Sequence, residues 1–565
     1  MCSQYCNVYV CRRKERDMRR QVVLATVVLL VVTLGGGLAV YSGDIGTALT
    51  SGETRDVGAE SGPWFNESDA GLEYQTTGTS PGNSDGGVFV ADYDNDEWPD
   101  VLAIGGDEPV LFENDNGTFH ESGVLPPINV TEIKSALFFD YDRDGWQDLL
   151  LVTRQDAPVF LENDGGQFAK RDVGLARLEY GTGAAAADYT GNGCPDLFVI
   201  QNGNWVTESP ERVSDGNVDD RHVNGNENIL YRNDCSGFSR AEDAGIEGEF
   251  WSLATSFVDL TGDGRPDIHV ANDFSPDIIY VNQGDGTFER RVLADTNRHG
   301  MSSEIADVNG DGKPDIFVTN IALPDADTIG EFKTSLDFNN RGNNLLINRG
   351  NGSFADRARE YGIRDGGWGW SASISDFDND GQRELVHATK YYLRNRDGDI
   401  TLQKTSPSLW DRADNGTFRS VDAGKLGFEH SNGRGLAVLD ANRDGALDVI
   451  VANTHGEFRY YENRVTTGNW LQVRVEQDDV PVLGADVAVT TSDGQKSAVQ
   501  SSEANFFSQS TRTRHFGLGG AEVQRVRVVF PDGTERVFED VPTNARVVVT
   551  RDGTVRTLDT GSEGS

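Results

Sequence analysis

Seven nonapeptides carry an oxygen-bearing side chain at positions 1, 3, 5 and 9. They are DYDNDEWPD from Asp92, DYDRDGWQD from Asp140, DYTGNGCPD from Asp188, DLTGDGRPD from Asp259, DVNGDGKPD from Asp307, DFDNDGQRE from Asp376 and DANRDGALD from Asp440. Two chemistries fit such spacing. Side chains alternating with period two can line the solvent face of a strand. Alternatively, a loop can turn its carboxylates onto one cation, as calcium, with six to eight oxygen ligands, requires. Position 6 decides between them. It is Gly in six copies, Glu97 being the exception, and a sharp turn needs that residue where a strand does not. Position 7 varies freely (Trp98, Trp146, Cys194, Arg265, Lys313, Gln382, Ala446), as expected where only a backbone carbonyl serves.

The expected calcium ligands are therefore Asp92, Asp94, Asp96 and Asp100 in loop 1, and Asp140, Asp142, Asp144 and Asp148 in loop 2. Loop 3 offers Asp188, Thr190, Asn192 and Asp196; loop 4 offers Asp259, Thr261, Asp263 and Asp267. Loop 5 has Asp307, Asn309, Asp311 and Asp315, loop 6 Asp376, Asp378, Asp380 and Glu384, and loop 7 Asp440, Asn442, Asp444 and Asp448. Up to seven Ca2+ ions are implied. Carboxylates at these positions number 4, 4, 2, 3, 3, 4 and 3 along the chain, so loop 3 should bind most weakly.

The loops must be positioned by repeating elements. Their spacings are 48, 48, 71, 48, 69 and 64 residues, and periods of 40–50 suit propeller blades. Each loop lies between two apolar runs, and most units then show an apolar-x-Asn strand, a Gly-rich turn and a Phe-led strand, as in LFENDNGTF. The seventh unit lacks its Phe strand, while an extra one stands at Phe65 before the first unit. The N-terminal strand is thus expected to complete the seventh blade and close the ring. Residues 62–465 read as a seven-bladed β-propeller of all-β class.

Loops and 3–4 turns share one face of such a meander. Cys194 in loop 3 and Cys235 in the matching turn are expected to form a disulfide. The three long spacings add residues to 2–3 loops at about 201–226, 319–343 and 388–412, all on the opposite face. Trp205, Trp251, Trp368, Trp370 and Trp410 fall in or beside that face and form the candidate ligand surface for a protein or glycan; inter-blade packing is the alternative for Trp251, Trp368 and Trp370. Sequons at Asn66, Asn116, Asn129, Asn351 and Asn415 permit glycosylation of an exported chain.

The formal charge is −41, which argues against a nucleic-acid partner. Only nine Lys stand against 41 Arg, an acidic, Lys-poor balance resembling proteins of halophilic microbes. Val22–Tyr41 is twenty residues without a charge, preceded by a basic stretch from Arg12 to Arg20. That order places residues 1–20 in the cytoplasm, a transmembrane anchor at 21–42 and a linker at 43–61, with the bulk outside the cell. Secretion after signal cleavage is the alternative, and residues before Met18 read as a start-site artefact.

From Asn469 the pattern changes to NWLQVRV, LGADVAV, SSEANFFSQSTRTRHFGLG and VRVVFPDGT, a small β-domain over 466–557 followed by a disordered tail at 558–565. The acidic loops resemble FG-GAP/VCBS repeats of the integrin α type. Trp470, Gly484-Ala485, Phe507-Ser508-Gln509, His515 to Gly519 and Pro531-Asp532-Gly533 resemble the ASPIC/UnbV domain, with Phe530 where Trp is expected. The pairing is similar to the cartilage acidic protein family. That resemblance implies a calcium-binding, extracellular adhesion or recognition module without an established reaction. The alternatives are a carbohydrate-active or other extracellular enzyme and a structural envelope protein. Against catalysis, the eight His form no metal-ligand pair and no GxSxG appears.

Overall fold

Each acidic loop joins two apolar runs, and these runs become neighbouring antiparallel strands. In the computed structural model, Gly87–Ala91 pairs with Asp100–Ile104, which pairs with Val110–Asp115 and then Thr118–Glu121. The structure describes residues 63–77, 86–130, 132–203, 225–296, 298–322, 342–389, 391–394, 400–403, 405–465, 468–477, 480–492, 494–499 and 502–559. Among these, the four-strand meander occurs seven times, once per loop, and gives sheets 1 to 7. Two of the long 2–3 insertions lie mostly outside the described residues; the third contains a hairpin of Tyr391–Arg394 with Ile400–Gln403. The expected membrane segment also lies outside them, and among the described residues no helix is long and apolar enough to cross a membrane.

The seventh sheet takes its outer strand from the start of the chain. Phe65–Ser68 pairs with Arg459–Asn463, Phe65 opposite Asn463, as the missing Phe strand required. Apolar clusters fill the space between successive sheets, and one cluster joins sheet 1 to sheet 7 through Val90, Phe112, Leu439 and Tyr460. The sheets therefore close on themselves in an all-β, propeller-like ring.

Hydrogen bonds join neighbours as regularly as the apolar clusters do. Asp148, fully buried at the end of loop 2, accepts from the Tyr141 N–H at 2.9 Å and the Asn163 N–H at 2.9 Å. Asn163 Nδ2 then donates to Gln147 O in its own sheet and to Tyr93 O in sheet 1. Asn114, Asn233, Asn348 and Asn463 repeat this double donation, each to its own loop and to the preceding sheet, Asn114 reaching Ala441 O across the closure. Cys194 and Cys235 are disulfide-bonded, with Cα atoms 5.5 Å apart, tying loop 3 to its turn as expected.

The C-terminal module is a two-layer β-sandwich. Asn469–Gln477 runs between Arg514–Gly519 and Ala545–Thr550; the facing sheet orders Gly494–Val499, Asp486–Thr491, Val523–Val529 and Glu535–Glu539. Leu471, Val473 and Val475 meet Val487, Val489, Val526 and Val528 in its core. Its last strand, Val555–Leu558, runs one residue past the expected boundary.

Replacing Asn163 with Ala removes two buried donations and strands two carbonyls. We expect a loss of about 2–4 kcal/mol in unfolding free energy by denaturant titration, against under ~0.5 kcal/mol for an exposed control such as Asp164→Asn.

Candidate metal centre

In six of the seven loops the first Asp folds the chain around its own carboxylate, while in loop 1 Asp92 accepts instead from Arg474. Asp140 Oδ1 accepts from Arg143 N at 2.6 Å and Asp144 N at 3.2 Å, and its Oδ2 from Gly145 N at 3.0 Å. These bonds demand left-handed backbone at positions 4 and 6. Gly145 has φ 92°, and Glu97 adopts φ 74° where the other six loops have Gly. Position 4 is left-handed too, at Asn95 (57°), Arg143 (65°), Asn379 (60°) and Arg443 (58°), while loops 3, 4 and 5 use Gly191, Gly262 and Gly310.

Three loops bring carboxylates together most closely: Asp92, Asp94 and Asp96; Asp140, Asp142 and Asp148; Asp376, Asp378 and Glu384, the ligand atoms of each trio lying within 4.8 Å of one another. They belong to loops 1, 2 and 6, the loops whose four expected ligands are all acidic. The sequence-based ligands of loops 3, 4, 5 and 7 occupy the same loop positions, without such a cluster among the described residues. Burial, with neighbouring acids adding to it, pushes Asp94 and Asp142 up to about 6 and Asp148 up to about 8. Burial, then Asp376, holds Glu384 well above the usual carboxylate range.

Each trio also contains a buried oxygen without a hydrogen-bond partner: Asp92 Oδ1, Asp142 Oδ1 and Glu384 Oε1. Unsatisfied acceptors in all-oxygen clusters fit a hard divalent cation. Bound there, calcium would offset the mutual repulsion of the carboxylates and fix the loop.

The C-terminal module lies directly on these loops. Arg474 Nη1 donates to Asp92 Oδ2 at 2.8 Å, Gln472 Nε2 to Asp440 Oδ2 at 2.7 Å, and Arg546 Nη2 to Glu97 O at 3.1 Å. His515 Nε2 meets Asn379 Oδ1 at 2.7 Å, and Gly519 N donates to Asn379 O at 2.8 Å. A cavity of about 50 Å3 remains between the two, lined by Asp92, Asp440, Arg474, Arg512 and Arg546 among others. Beneath the module the loops are linked in series. Asn379 Nδ2 reaches Gly445 O, Arg443 reaches Asp96 O, and Asn95 Nδ2 reaches Gly145 O, so loops 6, 7, 1 and 2 form a chain. Gly at position 4 cannot make that link in loops 3 to 5.

Sequence reasoning missed these module contacts, and it missed a second one along the axis. Residues 502–512 leave the sandwich and thread the ring. Ser502–Ala504 pairs with the innermost strand of sheet 4, and Ser508–Gln509 with that of sheet 1. Asn505 donates to Glu304 and to Ala372 O, Ser508 bonds Ser371, the Phe138 N–H donates to Gln509, and the Val438 N–H donates to Ser510. Six of the seven innermost strands are thereby engaged.

This insertion corrects the tryptophan surface. Trp368 and Trp370 stack at 5.8 Å and pack with Phe506, Phe507 and Met301 of the axial cluster. Arg434 lies over the Trp370 ring at 3.4 Å. Trp251 has no exposed surface and packs between sheets 3 and 4. Trp410 is in the third strand of sheet 6, not in its 2–3 loop, and is buried against His387. None of these four presents a face to solvent: Trp251, Trp368 and Trp370 take the packing alternative, and only Trp410 was placed in a long loop where the structure gives a buried strand. Trp205 lies outside the described residues. The signal for the insertion was the polar-aromatic stretch SEANFFSQST over residues 502–511, too long for a hairpin turn.

Comparison with known proteins gives the same two-part division. The FG-GAP-like repeat family matches residues 92–151, 140–199, 259–318 and 334–387, and the ASPIC and UnbV family matches 476–556. Cartilage acidic protein 1 of Mus musculus is 25% identical over 357 residues, 51% of this chain and 53% of that protein. The Homo sapiens protein is 24% identical over 497 residues, 73% of this chain and 71% of its own. The chain thus spans about half the length of the mouse relative. Among solved structures, an Agrocybe aegerita lectin described as recognising non-reducing terminal N-acetylglucosamine aligns with TM-score 0.40 at 18% identity, over 68% of this chain and 95% of that one. The WD40 domain of Toxoplasma gondii coronin aligns with TM-score 0.39 at 12% identity, over 72% and 87%. The chain carries FG-GAP-like repeats and an ASPIC and UnbV domain, and is homologous to cartilage acidic protein 1.

Two outcomes follow from local geometry. Gly145→Ala forces a side chain onto left-handed backbone and should destabilise the protein by about 1–2 kcal/mol in denaturant titration. His387 is fully buried, neither ring nitrogen has a hydrogen-bond partner, and burial pushes its pKa down to about 3. The folded state needs it neutral, whereas the unfolded chain binds a proton below the ordinary 6.5. Its contribution is intact above that pH and lost as pH falls towards 3; melting temperature against pH should therefore show a shallower acid limb in His387→Phe.

Proposed function

We propose that this chain, an FG-GAP-repeat and ASPIC/UnbV relative of cartilage acidic protein 1, is an extracellular recognition module built on a seven-bladed propeller that calcium holds in shape. The observation that carries the reading is the set of acidic loops on one face, three of them with clustered carboxylates that include an unpartnered buried oxygen at Asp92, Asp142 or Glu384. Up to seven ions fill the loops, those of loops 1, 2 and 6 most tightly, since carboxylate number governs affinity. The uncharged Val22–Tyr41 segment and the basic stretch before it support a single-pass membrane anchor with the propeller outside the cell. The Cys194–Cys235 disulfide suits that compartment. The partner is an extracellular protein or glycan. With the module on the calcium-loop face and the axial tryptophans covered, recognition falls to the outer surfaces of the sheets and the opposite loop face.

The test is calcium content and melting temperature before and after chelation, at high salt so that charge repulsion is screened. Each ion at a thousand times its Kd adds about 4 kcal/mol. We expect three to seven bound ions and a fall in melting temperature on the order of 10 °C or more on chelation. An unchanged melting curve with no bound ion would sink the reading.

A further inference from the structure

We propose that the His515–Gly519 segment of the C-terminal module is the roof of a closed metal site in loop 6, so that one calcium ion per chain exchanges slowly while the others exchange freely. The proposal rests on the calcium reading above and adds the module's role in it.

Loop 6 differs from the other clustered loops in enclosure. Asp376, Asp378 and Glu384 are all buried, with 5%, 8% and 0% of their surfaces exposed. In loop 1, Asp92 and Asp94 are half-buried and Asp96 is exposed; in loop 2, Asp142 is half-buried. Loops 3 to 5 are open at their tips, where Asn192, Asp263 and Asp311 are exposed.

The cover comes from the module. Gly517 lies so close to loop 6 that a β-carbon there would overlap the Asp376 carboxylate; its backbone is not left-handed, so glycine serves closeness alone. On either side, His515 bonds the Asn379 side chain and Gly519 bonds the Asn379 carbonyl. Asn379 is itself only 1% exposed. Below this cover, Glu384 Oε1 is buried without a partner and belongs to the loop 6 cluster. Loop 7 lies under the same module, but its Asp440 oxygens already accept from Asp444 N, Gly445 N and Gln472, so it is not assigned a trapped ion.

An ion held by Asp376, Asp378 and Glu384 leaves only when the roof lifts, and such local openings of packed segments are slow compared with loss from an open loop. The roof acts as a positioning element and contributes no ligand.

The full-length chain, saturated with calcium and freed of unbound ion, is mixed with excess chelator, and protein-bound calcium is measured over time. We expect a fast loss of all ions but one, with the last retained at least a hundredfold longer. His515→Ala should shorten that retention tenfold or more without changing the starting number. Glu384→Gln should abolish the slow phase and leave the fast phase as it is. Loss of every ion in one fast phase from the unaltered chain overturns the roof while leaving calcium binding intact. A slow phase unchanged in both variants overturns its assignment to loop 6. A chain that binds no calcium at the outset overturns the metal reading and the roof together.

Discussion

A carboxylate with almost no exposed surface closes every acidic loop. In six of the seven its two oxygens accept backbone N–H groups, one from the loop's second residue and one from an Asn on the third strand. The Asn side chain then donates to carbonyls, in most sheets including one from the sheet before. A buried charge is costly unless hydrogen bonds compensate it, so this carboxylate can exist only if loop, third strand and neighbour are all in register. The same residue that seats a loop therefore seats a sheet in the ring. Sheet 6 departs from the pattern. It has Glu384 for Asp, and Arg412 stands where the others carry Asn. Glu384 Oε2 accepts the Phe377 N–H, and Oε1 turns into the carboxylate cluster instead. The link back to sheet 5 passes to Arg383, whose guanidinium donates to Asp307 O at 2.7 Å.

The ring leaves a second obligation at its axis, where the edges of the innermost strands carry peptide groups that need partners. Residues 502–512 meet it from within the chain. Their backbone pairs with sheets 1 and 4, and Asn505, Ser508, Gln509 and Ser510 serve sheets 2, 5, 6 and 7. Arg512, half-buried and lowered to about 9 by desolvation and by Arg514, completes the exit by donating to Phe138 O and Gln147. Module and ring are consequently two folds sharing one set of buried hydrogen bonds.

What could be read from sequence followed from periodicity. The acidic loops between paired strands, the Phe65 strand that closes sheet 7 and the Cys194–Cys235 bridge each depend on a residue's place within its own repeat. The apolar-x-Asn signature was visible at Asn114, Asn163, Asn233, Asn282, Asn348 and Asn463, but its purpose was not, because the partner carbonyls lie in other repeats. For the same reason the sequence left Trp368 and Trp370 open between a ligand face and packing. Trp368 and Trp370 stand beside a long loop in sequence, and only the arrival of Phe506 and Phe507, more than a hundred residues away, determines that they are covered. Long-range contact between unlike modules leaves no period to detect.

Loop 1 shows how the two modules compensate one another. Its Glu97 is the one non-glycine at position 6, and left-handed backbone costs an ordinary residue roughly 1–2 kcal/mol. Four guanidinium groups converge there. Arg546 holds the Glu97 carbonyl, Arg556 pairs with its carboxylate at 2.6 Å, Arg474 with Asp92, and Arg443 stacks on Trp98 while donating to Asp96 O. The Arg556 pair is partly exposed and worth at most about 1 kcal/mol, but the bonds of Arg474 and Arg546 are shielded between the modules. Arginine suits these positions because its planar fork serves a carboxylate or carbonyl while the flat face stacks, which lysine cannot do. The contacts of Arg546 and Arg556 offset the strain at Glu97. In this loop the exception to the repeat is an adaptation to docking.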